Sequence, residues 1–87
     1  MKIIEIKDIL RKDVPIYYRR LYTGIVSLEI LNKIVETKLD FQLEHKPTGQ
    51  TEITIKLSEN IDYPLVPLYK ELKNFISTLD SDGKLPS

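Results

Sequence analysis

Residues 35–57 read VETKLDFQLEHKPTGQTEITIKL, and apolar and polar side chains alternate through most of this stretch. Such alternation is typical of a strand with one buried face, because successive side chains of a strand point to opposite sides of its sheet. The alternation stops at residues 46–50, where Pro47 fixes its φ and Gly49 can adopt a positive φ. We therefore predict a β-hairpin. Its buried face comprises Phe41, Leu43, Ile53 and Ile55.

A second clear pattern lies downstream of the hairpin. Apolar side chains recur there at intervals of three and four residues, at Leu65, Leu68, Tyr69, Leu72, Phe75, Ile76 and Leu79. This spacing predicts an amphipathic helix of about four turns. We predict Asp62 as its N-cap residue and Gly83 as the left-handed residue that ends it. One domain is expected over residues 1–80, followed by a short tail, residues 81–87, that frays from Lys84 onward.

The residues before the hairpin supply the rest of the sheet. Residues 2–7 are rich in β-branched side chains and predict a strand, whereas residues 10–15 are polar, end in a proline and predict a loop. Residues 31–34 are expected to turn the chain into the hairpin. The predicted fold class is therefore α+β, with a four-stranded antiparallel sheet in the order β-β-β-β-α and one C-terminal amphipathic helix packed on one face.

Residues 16–31 fit either a helix or a strand. A helix would place Gly24 in its interior, at a cost of about 1 kcal/mol relative to alanine. A strand would turn Val26, Leu28 and Ile30 toward the core, and tyrosine and isoleucine are favoured in strands. We favour a strand with a bulge at Thr23–Gly24, because an isolated glycine within a strand commonly marks a bulge.

Composition limits the kinds of function that are open to the chain. The 87 residues fit one domain, and 41% apolar with 30% charged residues is an ordinary globular composition. There is no cysteine, which excludes disulfides, thiolate zinc sites and cysteine nucleophiles. Charges interrupt the first residues too often for a signal peptide or a membrane span, so we expect a cytoplasmic protein without membrane contact.

No catalytic chemistry stands out in the sequence. His45 is the only histidine, and neither an orienting partner nor a reacting group is evident for it. Residues 79–85 share part of the pattern of an EF-hand loop, but a carboxylate at the twelfth position is missing, so a helix stop is favoured. No glycine-rich phosphate loop precedes a helix. We therefore predict no catalytic residue, no cofactor, no metal site and no small-molecule ligand, and we expect a protein that is not an enzyme.

The segment YYRRLY, residues 17–22, is the one stretch that indicates a ligand. Aromatic rings interleaved with guanidinium groups can stack on bases and neutralise phosphates. The competing interpretation is structural, because half the side chains of an alternating strand face the core whatever their type, and Arg19 and Arg20 would point to opposite faces. Zero formal net charge also argues against a strong nucleic-acid binder. The candidate nucleic-acid contacts are Tyr17, Arg19, Arg20, Tyr22, Lys33 and Lys38.

Four phrases carry a family resemblance: VPIYYRRLYTG at residues 14–24, EHKPTG at 44–49, DYPL at 62–65 and LDSDGKLP at 79–86. Together they resemble small uncharacterised proteins encoded on phages and conjugative elements of Gram-positive bacteria. The resemblance implies a bacterial, cytoplasmic setting and transfers no catalytic residue. In architecture, four antiparallel strands followed by a helix are similar to the single-stranded-DNA-binding folds of the coactivator and whirly type, which act as dimers.

Two functions therefore remain as hypotheses. The first is a non-enzymatic binding or accessory module that acts through a protein partner or as a homodimer, since a small sheet has edges that must be paired or protected. The second is a single-stranded nucleic-acid-binding protein that uses the strand containing residues 17–22.

Overall fold

A computed structural model describes residues 1–86 and contains four strands and one helix. The elements are β1 (Lys2–Lys12), β2 (Arg19–Ile30), β3 (Lys33–His45), β4 (Thr51–Leu57) and α1 (Leu65–Ser81). All neighbouring strands pair antiparallel, and their order in the sheet is the order of the chain. The predicted α+β class and the order β-β-β-β-α are confirmed.

The core lies between α1 and one face of the sheet. Phe41 pairs in register with Tyr22 on one side and with Ile55 on the other, and Leu43 pairs with Ile53, which confirms the predicted hairpin register. The rings of Tyr22 and Phe41 are stacked, with centroids 5.1 Å apart and an interplanar angle of 18°. The buried apolar side chains of the core are Tyr22, Val26, Leu28, Ile30, Leu39, Phe41, Leu43, Leu68, Leu72 and Ile76.

The helix differs from the prediction at its start and agrees with it at its end. Pro64 is its N-cap residue, with φ −56° and ψ 124° and no side-chain cap, so the prediction of Asp62 as the cap was wrong. The fixed φ of proline is compatible with the non-helical backbone that an N-cap needs. At the other end Gly83 has φ +69°, as predicted. The amide of Gly83 donates to the Asp80 carbonyl, 3.1 Å, and the amide of Lys84 to the Leu79 carbonyl, 2.9 Å, which is a Schellman ending.

The first two strands differ from the prediction. Residues 10–12 belong to β1, and β2 pairs with β3 without interruption, so the predicted early loop and the bulge at Thr23–Gly24 were wrong. The irregularities lie in β1 instead, and one of them falls opposite Gly24, where Asp8 has φ +53°. A Cβ on Gly24 would lie 3.1 Å from Ile6 Cγ2 and 3.5 Å from Ile9 Cγ1. The missing side chain therefore gives these two isoleucines of the bulged edge strand room to pack on the core.

The C-terminal tail returns to the domain. Leu85 is partly buried and packs against the core, so the tail is not free as far as this residue. The predicted tail also includes Ser87, which lies outside the described residues. Within residues 1–86, no helix has both the length and the apolar character that crossing a membrane requires.

Candidate interaction surface

The tyrosines of the predicted nucleic-acid segment lie in different environments. Tyr17 is in the loop between β1 and β2, and 95% of its surface is exposed. Its ring meets that of Tyr18 edge to face at 5.8 Å, and the Arg19 guanidinium lies 5.5 Å from the Tyr18 centroid. Tyr22 is fully buried against Phe41, so a base cannot reach its ring. Among the predicted stacking residues, Tyr17 therefore has an accessible ring and Tyr22 does not.

The basic residues of the same prediction do not form one surface. Arg19 and Arg20 lie on opposite faces of β2, as their adjacent positions require. Arg19 Nε donates to Glu44 at 2.9 Å, and Arg20 Nη2 lies 3.0 Å from Asp80 of α1. Lys38 is in the middle of the β2–β3 ladder and Lys33 is at its far end, beside the turn. The structure therefore distributes the six candidate contacts over both faces and both ends of the sheet.

The other end of the sheet carries a feature that the sequence reasoning missed. β3 has 13 residues and β4 has 7, and β4 pairs only with residues 39–45 of β3. One further backbone bond joins the Ser58 amide to the Lys38 carbonyl, at 3.0 Å. Within the described part of the chain, no backbone hydrogen bond joins residues 33–37 to a segment other than β2. We call residues 33–37 the free β3 edge.

The direction of the backbone groups along the free β3 edge follows from the pairing. In an antiparallel strand, the N–H and C=O groups of alternate residues point to the same side. Since the Lys38 carbonyl accepts from Ser58 on the outer side, the backbone groups of Glu36 and Ile34 also point outward. Unpaired groups of this kind are a template for another strand.

The turn at this end contains an exposed leucine in an unfavourable conformation. Leu31 and Asn32 connect β2 to β3 and have φ +51° and +66°, which matches a type I′ turn. Such turns favour asparagine and glycine, because a left-handed backbone crowds the Cβ of most other residues. Leu31 is 89% exposed and nearby Ile34 is 59% exposed. We call Leu31 and Asn32 the hairpin tip.

The glutamate of the free β3 edge is drawn inward over the sheet. Glu36 Oε2 lies 2.6 Å from Lys7 Nζ, on β1, and accepts from Ser27 Oγ, on β2, at 2.9 Å. The hydrogen bond and charge of Lys7, with the bond from Ser27, lower the pKa of Glu36 below its ordinary value. The same partnership raises the pKa of Lys7. The carboxylate therefore contacts β1 and β2, and it does not extend outward as a charged guard of the edge.

The other two edges of the sheet are protected in familiar ways. β1 has two register shifts and several charged side chains, which discourage an added strand. β4 is short, and Glu52 near its start forms an ion pair with Lys46. The free β3 edge lacks these protections, and the exposed hairpin tip adjoins it.

Catalytic and metal chemistry receive no support from the remaining polar groups. His45 is exposed at the end of β3, where its Nδ1 lies 3.4 Å from the Thr51 hydroxyl. Residues 1–86 contain no group of three or more histidine, aspartate or glutamate side chains placed to hold a metal ion. The arrangement with a chemical consequence is therefore the free β3 edge beside the hairpin tip.

Two signals in the sequence point toward this surface. Ile34 is an apolar residue on the polar face of an alternating strand. Leu-Asn occupies a turn where Asn-Gly is favoured. Neither signal identifies the surface until the turn and the strand pairing are located.

Comparison with known proteins gives one match. No curated protein and no solved structure matches the chain. A family model described as the BB_0187 family matches residues 1–81, which contain all four strands and the whole of α1. Since the match covers nearly all of the sequence, the chain belongs to the BB_0187 family.

Proposed function

We propose that this chain is a non-enzymatic binding module of the bacterial cytoplasm, acting through a protein partner or a second copy of itself. The docking surface is the free β3 edge together with the hairpin tip. The observation that carries the proposal is Leu31, which has a left-handed backbone and is 89% exposed.

Leu31 is unfavourable for the isolated chain on two counts. A left-handed backbone costs roughly 1–2 kcal/mol for a residue with a Cβ, and asparagine tolerates it better. The side chain also gains almost nothing by burial within this molecule. Burying an exposed leucine in a partner would contribute about 1.5–3 kcal/mol. A strained residue that does not help the fold is a reason to infer a role in binding.

The free β3 edge supplies the second half of the surface. An added strand would bond to the outward backbone groups of Ile34 and Glu36, which is the β-augmentation mode of recognition. Main-chain bonds give such a complex its affinity, and the apolar side chains of Leu31 and Ile34 add specificity. The surface is small, so the complex belongs to the weak or transient class.

Site-specific photo-crosslinking in cells tests the proposal. A photoreactive amino acid replaces Leu31 or Val35, and in a matched control it replaces Thr54, an exposed residue of β4. The proposal expects discrete protein adducts from positions 31 and 35 that are absent from position 54. No adduct from either position, or equal adducts from all three, contradicts it.

A second candidate function rests on the exposed ring of Tyr17 beside Tyr18 and Arg19. A base could stack on Tyr17, and alanine at this position would then cost about 1–3 kcal/mol of binding. Fluorescence anisotropy with labelled single-stranded DNA and RNA at low salt is the test, with Tyr63→Phe as the control. Affinity should fall by about 0.7 log units per log unit of salt for each phosphate contacted. Absence of binding at high micromolar protein removes this candidate.

A further inference from the structure

We infer that the free β3 edge docks against the same edge of a second copy of this chain, in antiparallel register about Val35. This inference rests on the proposed function and names its partner. It would join the two sheets into one continuous sheet through a two-fold axis, which is the commonest symmetry of homodimers.

The directions of the backbone groups permit this register. With Val35 of one copy opposite Val35 of the other, Ile34 of each copy lies opposite Glu36 of its partner. Ile34 and Glu36 are the residues whose N–H and C=O groups point outward. The pairing therefore forms about four main-chain hydrogen bonds, two from each Ile34–Glu36 pair, and Val35 forms the non-hydrogen-bonded pair at the centre.

The length of the gap beyond β4 selects this register over its neighbours. A two-fold axis at Glu36 would bring Lys33 opposite Leu39, where Leu57 of β4 already pairs, and it would place two glutamates opposite each other. An axis at Ile34 would pair only residues 33–35. The axis at Val35 pairs all of residues 33–37 and stops where the Ser58–Lys38 hydrogen bond begins.

The side chains in this register are compatible. The half-buried Val35 side chains meet on the face that α1 covers, and β-branched cross-strand pairs are favourable. Ile34 faces Glu36, whose carboxylate is already held by Lys7 within its own copy. The hairpin tip then reaches the end of β4 in the other copy, because Leu31 falls opposite Leu39, the partner of Leu57. The exposed leucine is thereby covered.

A single cysteine tests the register, since the native chain has none. The Cα atoms of a non-hydrogen-bonded pair lie about 4.5 Å apart, within the range that a disulfide spans. Val35→Cys should therefore form a disulfide-linked dimer under mild oxidation. The control is Leu31→Cys, whose thiol is more exposed but lies far from its counterpart in the proposed dimer. The expected result is at least tenfold faster cross-linking at position 35, in a chain that circular dichroism shows to be folded.

Sedimentation equilibrium of the native chain provides a second measurement that does not depend on cysteine chemistry. The average mass should rise above that of one chain with concentration, and Glu36→Pro should keep the chain monomeric. This proline removes an outward N–H and leaves the bonds to β2 intact. Equal cross-linking at positions 31 and 35, or a native chain that stays monomeric at millimolar concentration, overturns self-pairing. Adducts with other proteins at positions 31 and 35 would then still support the proposed function, and their absence would remove both.

Discussion

Replacing Leu31 with asparagine should make the monomer more stable while weakening its association. The substitution keeps the turn and relieves a left-handed leucine at φ +51°. Since the side chain is 89% exposed, almost no burial is lost. The leucine penalty is roughly 1–2 kcal/mol and asparagine retains part of it, so the expected gain is about 1 kcal/mol. For a domain of this size, that corresponds to an increase in Tm of about 4–8 °C.

The assay is urea and thermal unfolding at a protein concentration at which the chain is monomeric. Leu31→Ala is the control, because alanine keeps the Cβ that causes the strain and should change stability by less than about 0.5 kcal/mol. Sedimentation of the same variants should show that Leu31→Asn associates more weakly than the native chain. A loss of about 1 kcal/mol or more in Leu31→Asn would refute the reasoning, since the leucine would then be stabilising its own fold.

Two further predictions concern the core and the edge. Phe41→Ala should cost about 3–5 kcal/mol in urea unfolding, because a stacked, buried ring is removed, whereas Thr54→Ala on the open face should cost less than about 0.5; a loss below about 1 at Phe41 contradicts the packing described. The lowered pKa of Glu36 means that its bond to Lys7 stabilises the fold above the ordinary glutamate pKa of about 4.3 and that this contribution is lost as pH falls through the folded pKa. An NMR titration of the carboxyl carbons should place Glu36 below the ordinary value, and Glu36→Gln should lose less stability on acidification; a value at or above the ordinary one rejects the pairing.

The elements with strong periodicity could be predicted from the sequence because local rules determine them. The alternation from Val35 to Leu57 identified both strands and their shared face. Gly83 was predictable as the helix ending, since a left-handed residue at that position favours glycine. These predictions needed no knowledge of distant parts of the chain.

The elements that were mispredicted depend on tertiary partners. β1 continues through polar residues because an edge strand needs little apolar surface, and Asp8 adopts a positive φ that its sequence context does not announce. The bulge lies opposite Gly24 because the glycine gives space to Ile6 and Ile9 of the neighbouring strand. A sequence records the glycine but not the strand that uses the space.

The candidate site was the least predictable part for a similar reason. Aromatic and basic residues at positions 17–22 attract attention, yet the pairing of β2 buries Tyr22 and separates Arg19 from Arg20. The free β3 edge is defined by the difference in length between β3 and β4, which requires the register of their pairing. The conformation of Leu31 likewise becomes apparent only once the turn is located between Ile30 and Lys33.

Amide hydrogen exchange at residues 34–36, followed as a function of protein concentration, tests the central claim most directly. At high dilution the outward amides of Ile34 and Glu36 should exchange rapidly, while the amide of Val35, which points toward β2, stays protected. At high concentration Ile34 and Glu36 should become protected while Val35 changes little. Slow exchange of Ile34 and Glu36 at every concentration would show that the edge is already paired within one chain, and rapid exchange at every concentration would show that no second copy docks there.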